Sequence, residues 1–296
     1  SNLDLVFGGP PCQGFSNGGK QNSNDKRNVQ IINFANLIIQ LSPRGFVMEN
    51  VSGILNKKFK KTLDEFYRIL SSNGFYIQEP LILNASDYYV PQNRKRVFFV
   101  GFKKSISQFL VQPFVRSNFK SVNRVTVEDA LCDIIHVNLE PNSTNIYKGS
   151  RQKHSNYSKI LADASLDNDI RDESLTGVPL TGLMTTLHSS KVIERFISTS
   201  PGKSEPISRY KKLSLNGLSP TLRAGTIRGM GQFMAPRPIH PIFPRCITTR
   251  EAARLHSFPD WFTFYPTKWY GMMQIGNSVP PHLAESIGHS IFKALS

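Results

Sequence analysis

Short apolar runs alternate with segments of helical periodicity in the first hundred residues, and this alternation restricts the fold more than any other feature. The predicted strands are Leu3–Phe7, Gly45–Met48, Phe75–Leu83 and Val97–Phe102. The predicted helices are Ile31–Leu41 and Thr62–Leu70. Such alternation predicts an α/β fold with a mostly parallel sheet that is covered by helices on both faces.

The composition changes in the middle of the chain. Residues from about 104 to 213 are rich in Ser, Asn and Thr, and this predicts a separate, loop-rich module. Apolar anchors such as Ile134-Ile135 and Val192-Ile193 favour a small irregular domain over disorder. After it, Arg250–Leu255 is predicted to be helical, and Pro281 is predicted to open a final amphipathic helix that ends at Leu295.

The charge balance and the cysteines limit the class of protein. Thirty-six Lys and Arg against twenty-one Asp and Glu give a net charge of +15, which favours a polyanionic partner such as nucleic acid, although a solubilising surface would show the same balance. The three cysteines, Cys12, Cys132 and Cys246, lack the paired spacing of a disulfide framework or a zinc site. No apolar run is long enough to span a bilayer, and no signal pattern opens the chain. We therefore expect a cytoplasmic protein without a metal.

The first predicted strand runs into a loop rich in Gly and Pro that contains Cys12. Open α/β folds bind ligands at the carboxyl ends of their strands, so the thiol is placed to react, with a buried structural thiol as the alternative. Glu49 ends the next strand, and two neighbouring parallel strands would direct the thiol and the carboxyl toward one crevice. A solvated surface Glu is the alternative for Glu49.

Two further segments carry polar groups beside predicted elements. Arg94 and Arg96 precede a strand at i, i+2 spacing, which would put both guanidinium groups on one face, suited to a base carbonyl and a phosphate. A basic strand edge that discourages aggregation is the alternative. Residues 276–281, GNSVPP, form a turn before a helix, where backbone amides can meet a polar ligand.

Five motifs occur in a characteristic order: GGPPCQGFS at 8–16, MENV at 48–51, QNRKR with its strand at 92–101, REAARLHSFP at 250–259 and GNSVPP at 276–281. Together they resemble the DNA cytosine-5 methyltransferase family of bacterial restriction-modification systems, over residues 3–104 and 214–296. The resemblance implies a Rossmann-like S-adenosylmethionine-dependent methyltransferase sheet, with 1–104 and 214–296 as the catalytic domain and 105–213 as a smaller target-recognition domain. It also implies a bacterial cytoplasmic enzyme associated with the nucleoid.

The resemblance implies a role for each matching residue. Cys12 would add to C6 of a cytosine flipped out of the duplex, and Glu49 would hydrogen-bond or protonate N3. Base carbonyl and phosphate contacts would come from Arg96 and Arg94, and DNA contacts around the flipped base from Gln13 and Ser16. The positions that would lie near the methyl donor S-adenosylmethionine are Pro11, Asn277, Ser278 and Val279. The covalent route requires no metal.

The sequence departs from the family pattern at its beginning. The pattern starts with a Phe- and Gly-rich cofactor loop and acidic residues, and neither is found here, so Leu3–Phe7 would be the fourth strand. That strand would expose an unpaired apolar edge. We therefore expect a fragment or the larger part of a split enzyme, with another polypeptide supplying the first strands and the cofactor loop.

Two other functions are compatible with these motifs. One branch of the family methylates transfer RNA with the same Cys and Glu, but a middle region of more than a hundred residues favours reading of duplex DNA. A non-catalytic DNA-binding relic is the second alternative, against which the retention of Cys12, Glu49, Arg94 and Arg96 argues.

Overall fold

The computed structural model describes residues 3–11, 29–106, 124–138, 146–147, 154–162, 179–225 and 237–296. These residues divide into two compact units. The first unit contains the described residues within Ser1–Asn84, Lys95–Val115 and Glu285–Ser296, and the second contains those within Ala85–Arg94 and Arg116–Ala284.

Seven strands and eight α-helices occur among the described residues. The strands are β1 Leu5–Gly8, β2 Gly45–Asn50, β3 Phe75–Ile77, β4 Leu81–Asn84, β5 Lys95–Lys103, β6 Ile146–Tyr147 and β7 Leu180–Thr181. The helices are α1 Val29–Leu41, α2 Lys60–Ser72, α3 Val127–Leu131, α4 Asn156–Ala162, α5 Ser190–Ser198, α6 Thr249–Leu255, α7 Lys268–Asn277 and α8 Pro281–Leu295. Short 3-10 turns lie at Ser52–Leu55, Lys57–Phe59 and Ala85–Tyr88.

The first unit is built on a mixed sheet. Strand β1 pairs in parallel with β2, whereas β2, β3 and β4 each pair antiparallel with β5. The prediction of a mostly parallel sheet is therefore wrong for the described residues. Parallel neighbours need a crossover connection, which the chain between β1 and β2 provides through α1, while the connections that follow β3 and β4 are too short for one.

The predicted strand Phe75–Leu83 is two strands, β3 and β4, that are separated by Gln78–Pro80. Pro80 has no backbone N–H to donate to a neighbouring strand, so the run cannot continue as a single strand through it. Both halves nevertheless pair with β5, at different positions along it.

Helices α1 and α2 pack on one face of this sheet. The side chains that form this core include Ile38 of α1, Phe66 of α2, Phe46 and Met48 of β2, and Phe99 of β5. Met48 and Phe99 are directly opposite each other in the β2–β5 register, so they share a face. This packing holds the carboxyl end of β2 in place, where Glu49 lies.

The second unit has its own core around helices α3, α4, α6 and α7. Capping boxes open two of them, with Thr126 and Asp129 at α3 and Thr248 and Glu251 at α6. The helices predicted at Arg250–Leu255 and from Pro281 to Leu295 are present as α6 and α8. No helix in the described ranges is long and apolar enough to cross a membrane.

The two units do not coincide with the domain boundaries predicted at 104 and 213. The second unit groups residues 214–284 with the described part of 116–213, whereas the sequence prediction groups 214–296 with 1–104. The division into compact units concerns packing alone, and the target-recognition domain at 105–213 stays a prediction.

Candidate active site

Glu49 and Arg96 form an ion pair at the end of the first unit's sheet. Arg96 Nε lies 2.8 Å from Glu49 Oε1, and the two side chains are only 12% and 17% exposed. Glu49 is opposite Phe98 in the antiparallel register, and Arg96 is two residues before Phe98 on the same face of β5. Strand pairing thus brings together the predicted carboxyl and one predicted guanidinium group.

The loop that follows β1 runs against Glu49. A Cβ added to Gly9 would lie 3.2 Å from Glu49 Oε2, so glycine leaves room for the carboxylate at this position. Asn50, the residue after Glu49, donates from Nδ2 to the carbonyl of Pro10 at 3.2 Å. The end of β2 therefore holds the loop two residues before Cys12.

Cys12, Gln13 and Ser16 lie outside the described residues, so their predicted roles stay predictions. Pro11 is described and is exposed. Asn50 was not among the predicted site residues, although its position directly after Glu49 at the end of a buried strand could have identified it.

Arg94 has different surroundings from those predicted. It precedes β5, which begins at Lys95, and its side chain is buried, with 1% exposed. Its Nη1 donates to the carbonyl of Leu222, and its Nη2 donates to the carbonyls of Gly276 and Ser278, each at 2.8 Å. A guanidinium group that is buried on three backbone carbonyls is suited to holding the chain in place, so these contacts favour a structural role over contact with a base or phosphate.

The turn Gly276–Val279 ends α7 and precedes α8, and we call it the cofactor turn because it contains residues predicted to lie near S-adenosylmethionine. The amide of Ser278 donates to the carbonyl of Gln274 at 3.1 Å, and its hydroxyl donates to the carbonyl of Ile275 at 2.8 Å. Both groups thus donate to the last turn of α7, and the predicted role of Ser278 near a ligand stays a prediction. Asn277 is exposed and Val279 is half-buried.

The motif at 250–259 supplies buried charges that organise the second unit. Arg254 is completely buried and donates to both carboxyl oxygens of Asp133, at 2.8 and 2.9 Å, and of Asp260, at 2.7 and 2.6 Å. Burial opposes the charge, but the two carboxylates outweigh it and raise the pKa of Arg254 above its usual range. Arg250 donates to the carbonyls of Thr181, Pro259 and Phe262.

Two further residues, His256 and Gln92, were not predicted from the sequence. His256 contacts the cofactor turn, and Gln92 contacts His256. His256 Nε2 lies 3.2 Å from the carbonyl of Ser278, and His256 Nδ1 lies 2.9 Å from Gln92 Nε2. Both residues stand inside motifs quoted above, but nothing in local sequence indicates that they meet. Within the described ranges, no cluster of three or more His, Cys, Asp or Glu side chains could hold a metal ion.

Comparisons with known proteins agree on one family. The family model described as C-5 cytosine-specific DNA methylase matches residues 1–293. The chain is 41% identical over 299 residues to the Type II methyltransferase M.XorII of Xanthomonas oryzae, covering 99% of this chain and 69% of that protein. It is 30% identical to the Type II methyltransferase M.DdeI of Desulfomicrobium norvegicum, covering 98% and 73%.

Among solved structures, the chain is similar to a prophage-encoded Escherichia coli protein described as a DNA modification methyltransferase. The TM-score is 0.79 at 36% sequence identity, over 100% of this chain and 80% of the other.

Proposed function

This chain belongs to the C-5 cytosine-specific DNA methylase family, and we propose that it methylates C5 of a flipped-out cytosine in a specific duplex DNA sequence through a covalent bond between Cys12 and C6. The family resemblance and the methyltransferase fold predicted from the sequence are confirmed. The chain is a DNA cytosine-5 methyltransferase of the restriction-modification type. The covalent route, the methyl donor and the residue roles are the proposed part.

The pair formed by Glu49 and Arg96 beside the loop that leads to Cys12 is the observation that carries this proposal. A cytosine ring accepts a thiolate at C6 only if the charge that develops in the ring is stabilised. The carboxyl of Glu49 can hydrogen-bond to N3 or give it a proton. Arg96, at the same end of the sheet, can donate to the base carbonyl. Arg96 also supplies a positive charge within 2.8 Å that keeps the carboxyl oriented when no base is present.

The chain's own residues act on the ring. Cys12 Sγ forms a bond to C6 while N3 is protonated or hydrogen-bonded by Glu49, and C5 becomes nucleophilic. S-adenosylmethionine, when bound, would supply the electrophilic methyl group that C5 accepts, and the rest of the cofactor would leave as a neutral thioether. Transfer of the C5 proton to water or another base, return of any N3 proton to Glu49 and breakage of the bond between Sγ and C6 restore the aromatic ring and the free thiolate of Cys12.

The residues proposed to hold S-adenosylmethionine are Pro11, Asn277, Ser278 and Val279. They fit the cofactor in part. Asn277 has an exposed amide that can both donate and accept, as the amino, carboxylate and hydroxyl groups of the cofactor require, and Val279 offers an apolar surface. Ser278 contributes through its position in the turn, because its amide and hydroxyl protons are already donated within the chain.

The DNA contacts are assigned to Gln13 and Ser16, around the flipped base, and to Arg96. Arg94 was also predicted to contact the base or phosphate, but we propose a structural role for it instead, because its guanidinium group is buried on three backbone carbonyls. The net charge of +15 favours a DNA partner, and we place the protein in the bacterial cytoplasm at the nucleoid. The recognised sequence is expected to be read by residues 105–213.

We also propose that a further polypeptide strand pairs along β1. Among the described residues β1 has one neighbouring strand, β2, and Phe7 is 80% exposed on it. An apolar strand with an open edge is a template for another strand. Calorimetry with S-adenosylmethionine on this chain alone tests this proposal, since an affinity equal to that of an intact family member would contradict the need for a complementing chain.

Trapping on duplex DNA that contains 5-fluorocytosine tests the catalytic proposal. The fluorine cannot leave as the C5 proton does, so the adduct persists. With S-adenosylmethionine and any complementing chain present, we expect a covalent complex that survives denaturation. Cys12→Ser should abolish it, and Glu49→Gln should slow it while leaving DNA binding intact. An adduct that forms with Cys12→Ser would refute the assignment of the nucleophile.

A further inference from the structure

Residues 91–93 lie alongside a segment that is distant in the sequence. The amide of Asn93 donates to the carbonyl of Ser219, and the amide of Ser219 donates to the carbonyl of Pro91, both at 2.9 Å. Thr221 Oγ1 donates to the carbonyl of Asn93 at 2.7 Å. We call residues 219–224 the paired segment, because this backbone pairing fixes its path.

Arg94 joins the paired segment to the cofactor turn. One guanidinium nitrogen donates to Leu222, in the paired segment, and another donates to Gly276 and Ser278, in the turn. The guanidinium group is planar and its donors point in set directions, so the three carbonyls are held in fixed relative positions. A buried cation also loses much more than a neutral donor would if these partners moved away.

Gln92 and His256 make a second link between the same two segments. The amide of Leu222 donates to Gln92 Oε1 at 3.2 Å, which directs the Gln92 NH2 group toward His256 Nδ1, 2.9 Å away. His256 Nδ1 therefore accepts, and the proton of the neutral ring lies on Nε2. This Nε2 donates to the carbonyl of Ser278 at 3.2 Å.

Gly276 brings the two backbones into direct contact. A Cβ at this position would overlap the backbone nitrogen of Ala224 and the carbonyl carbon of Arg223. The paired segment and the cofactor turn therefore touch where no side chain fits between them. A shift of either backbone at this point must displace the other.

The paired segment carries a basic group to a small cavity. Arg223 is exposed and directly follows Leu222, and it lines this cavity together with Arg237, Trp269 and Met272. The two guanidinium groups bring positive charge to this cavity, which suits the phosphate groups of a nucleic acid.

We propose that Arg94 and His256 are positioning residues that couple the cofactor turn to the paired segment, so that a methyl donor bound at Asn277–Val279 also orders the basic cavity at Arg223. The proposal rests on the proposed cofactor contacts for its second half only. The coupling of the two segments is a property of the chain by itself, and it is tested without a ligand.

Hydrogen exchange on the unliganded full chain tests the coupling. In Arg94→Lys the charge remains, but one ammonium group cannot reach three carbonyls. We expect amides in peptides covering 219–225 and 274–280 to exchange about tenfold faster, and both peptides to change together. Arg68→Lys, on the exposed side of α2, is the matched control and should leave both peptides unchanged. A change in only one of the two peptides, or in neither, overturns the coupling.

If Arg94→Lys does not fold, it exchanges rapidly everywhere and says nothing about the coupling. Variants at His256 then provide the test. His256→Gln retains a donor for Ser278 and an acceptor for Gln92, whereas His256→Leu removes both. We expect His256→Leu to accelerate exchange in both peptides and His256→Gln to stay closer to the wild type. Equal behaviour of the two variants would overturn the role of His256.

Addition of S-adenosylmethionine, with any complementing chain that the calorimetry shows to be required, tests the second half. It should slow exchange in both peptides of the wild type, and in His256→Leu its dissociation constant should rise about tenfold while protection of 219–225 is lost. Protection of 274–280 alone in the wild type would overturn the coupling to the cavity. If the wild type binds no S-adenosylmethionine even with a complementing chain present, the proposed cofactor contacts and this second half fail together, and the unliganded exchange still decides whether the segments are joined.

Discussion

Replacement of Arg254 by Met is the sharpest test of how the second unit is stabilised. Arg254 is fully buried and pairs with Asp133 and Asp260, whose side chains are 0% and 5% exposed. Removal of the guanidinium group takes the four short hydrogen bonds from two buried carboxylates, and the contacts that remain include longer ones, from Arg250 to Asp260 at 3.9 Å and from His154 to Asp133 at 3.7 Å. Loss of one partner from a buried ion pair costs about 3–5 kcal/mol, and we expect Arg254→Met to lie in this range.

The triple variant Arg254→Met with Asp133→Asn and Asp260→Asn removes the two buried negative charges together with their shared cation. It should therefore recover part of the stability that Arg254→Met loses.

Urea denaturation at pH 5 and pH 7.5 measures the free energy of unfolding of these variants. Arg68→Met, which breaks an exposed pair with Glu65 on α2, is the control and should leave the unfolding midpoint nearly unchanged. A loss below about 1 kcal/mol in Arg254→Met, or no recovery in the triple variant, would refute the argument that Arg254 stabilises the unit by compensating the charge of these two carboxylates.

Three further predictions concern single side chains. His240 is buried, its Nδ1 accepts from the amides of Ile242 and Phe243, and burial lowers its pKa to about 4. Because the pKa of His240 is lower in the folded state than in the unfolded state, about 3 kcal/mol of stability is present above pH 6.5 and is lost as pH falls toward 4. His240→Gln should therefore flatten that part of the plot of urea midpoint against pH. Glu49→Gln should lower single-turnover methylation by about 10²- to 10⁴-fold with the dissociation constant for DNA unchanged, and an unchanged rate would remove Glu49 from the chemistry. Asn50→Ala should slow trapping on 5-fluorocytosine DNA more than it weakens DNA binding, because it removes the hydrogen bond to the carbonyl of Pro10 and loosens the loop before Cys12. An equal effect on trapping and on DNA binding would contradict this reasoning.

Local pattern was sufficient for many of the elements and for the family. Apolar spacing predicted α1, α2 and β2. The helix expected at Arg250–Leu255 begins with a capping box of Thr248 and Glu251, and α8 begins at Pro281 as expected. These features depend on interactions among residues a few positions apart, which the sequence contains explicitly. The order of five short motifs identified the cytosine-5 methyltransferase family, which the family model confirms.

The direction of the strands was decided only in the tertiary structure. Alternation of strands and helices predicted a mostly parallel sheet, but β5 pairs antiparallel with three strands. The choice of neighbour depends on connection length and on which edges remain unpaired, and neither is visible in the periodicity of one strand.

The two arginines show the same division most clearly. Alternation along a strand put Arg94 and Arg96 on one face, yet β5 begins at Lys95, so alternation does not apply to Arg94. Arg96 meets Glu49 because antiparallel register brings two distant strand ends together, and Arg94 is buried on the carbonyls of Leu222, Gly276 and Ser278. The sequence by itself determined which side chains are charged and which elements they flank. Tertiary structure decided what each charge binds, because a buried guanidinium group must find acceptors and these come from backbone far away in the chain.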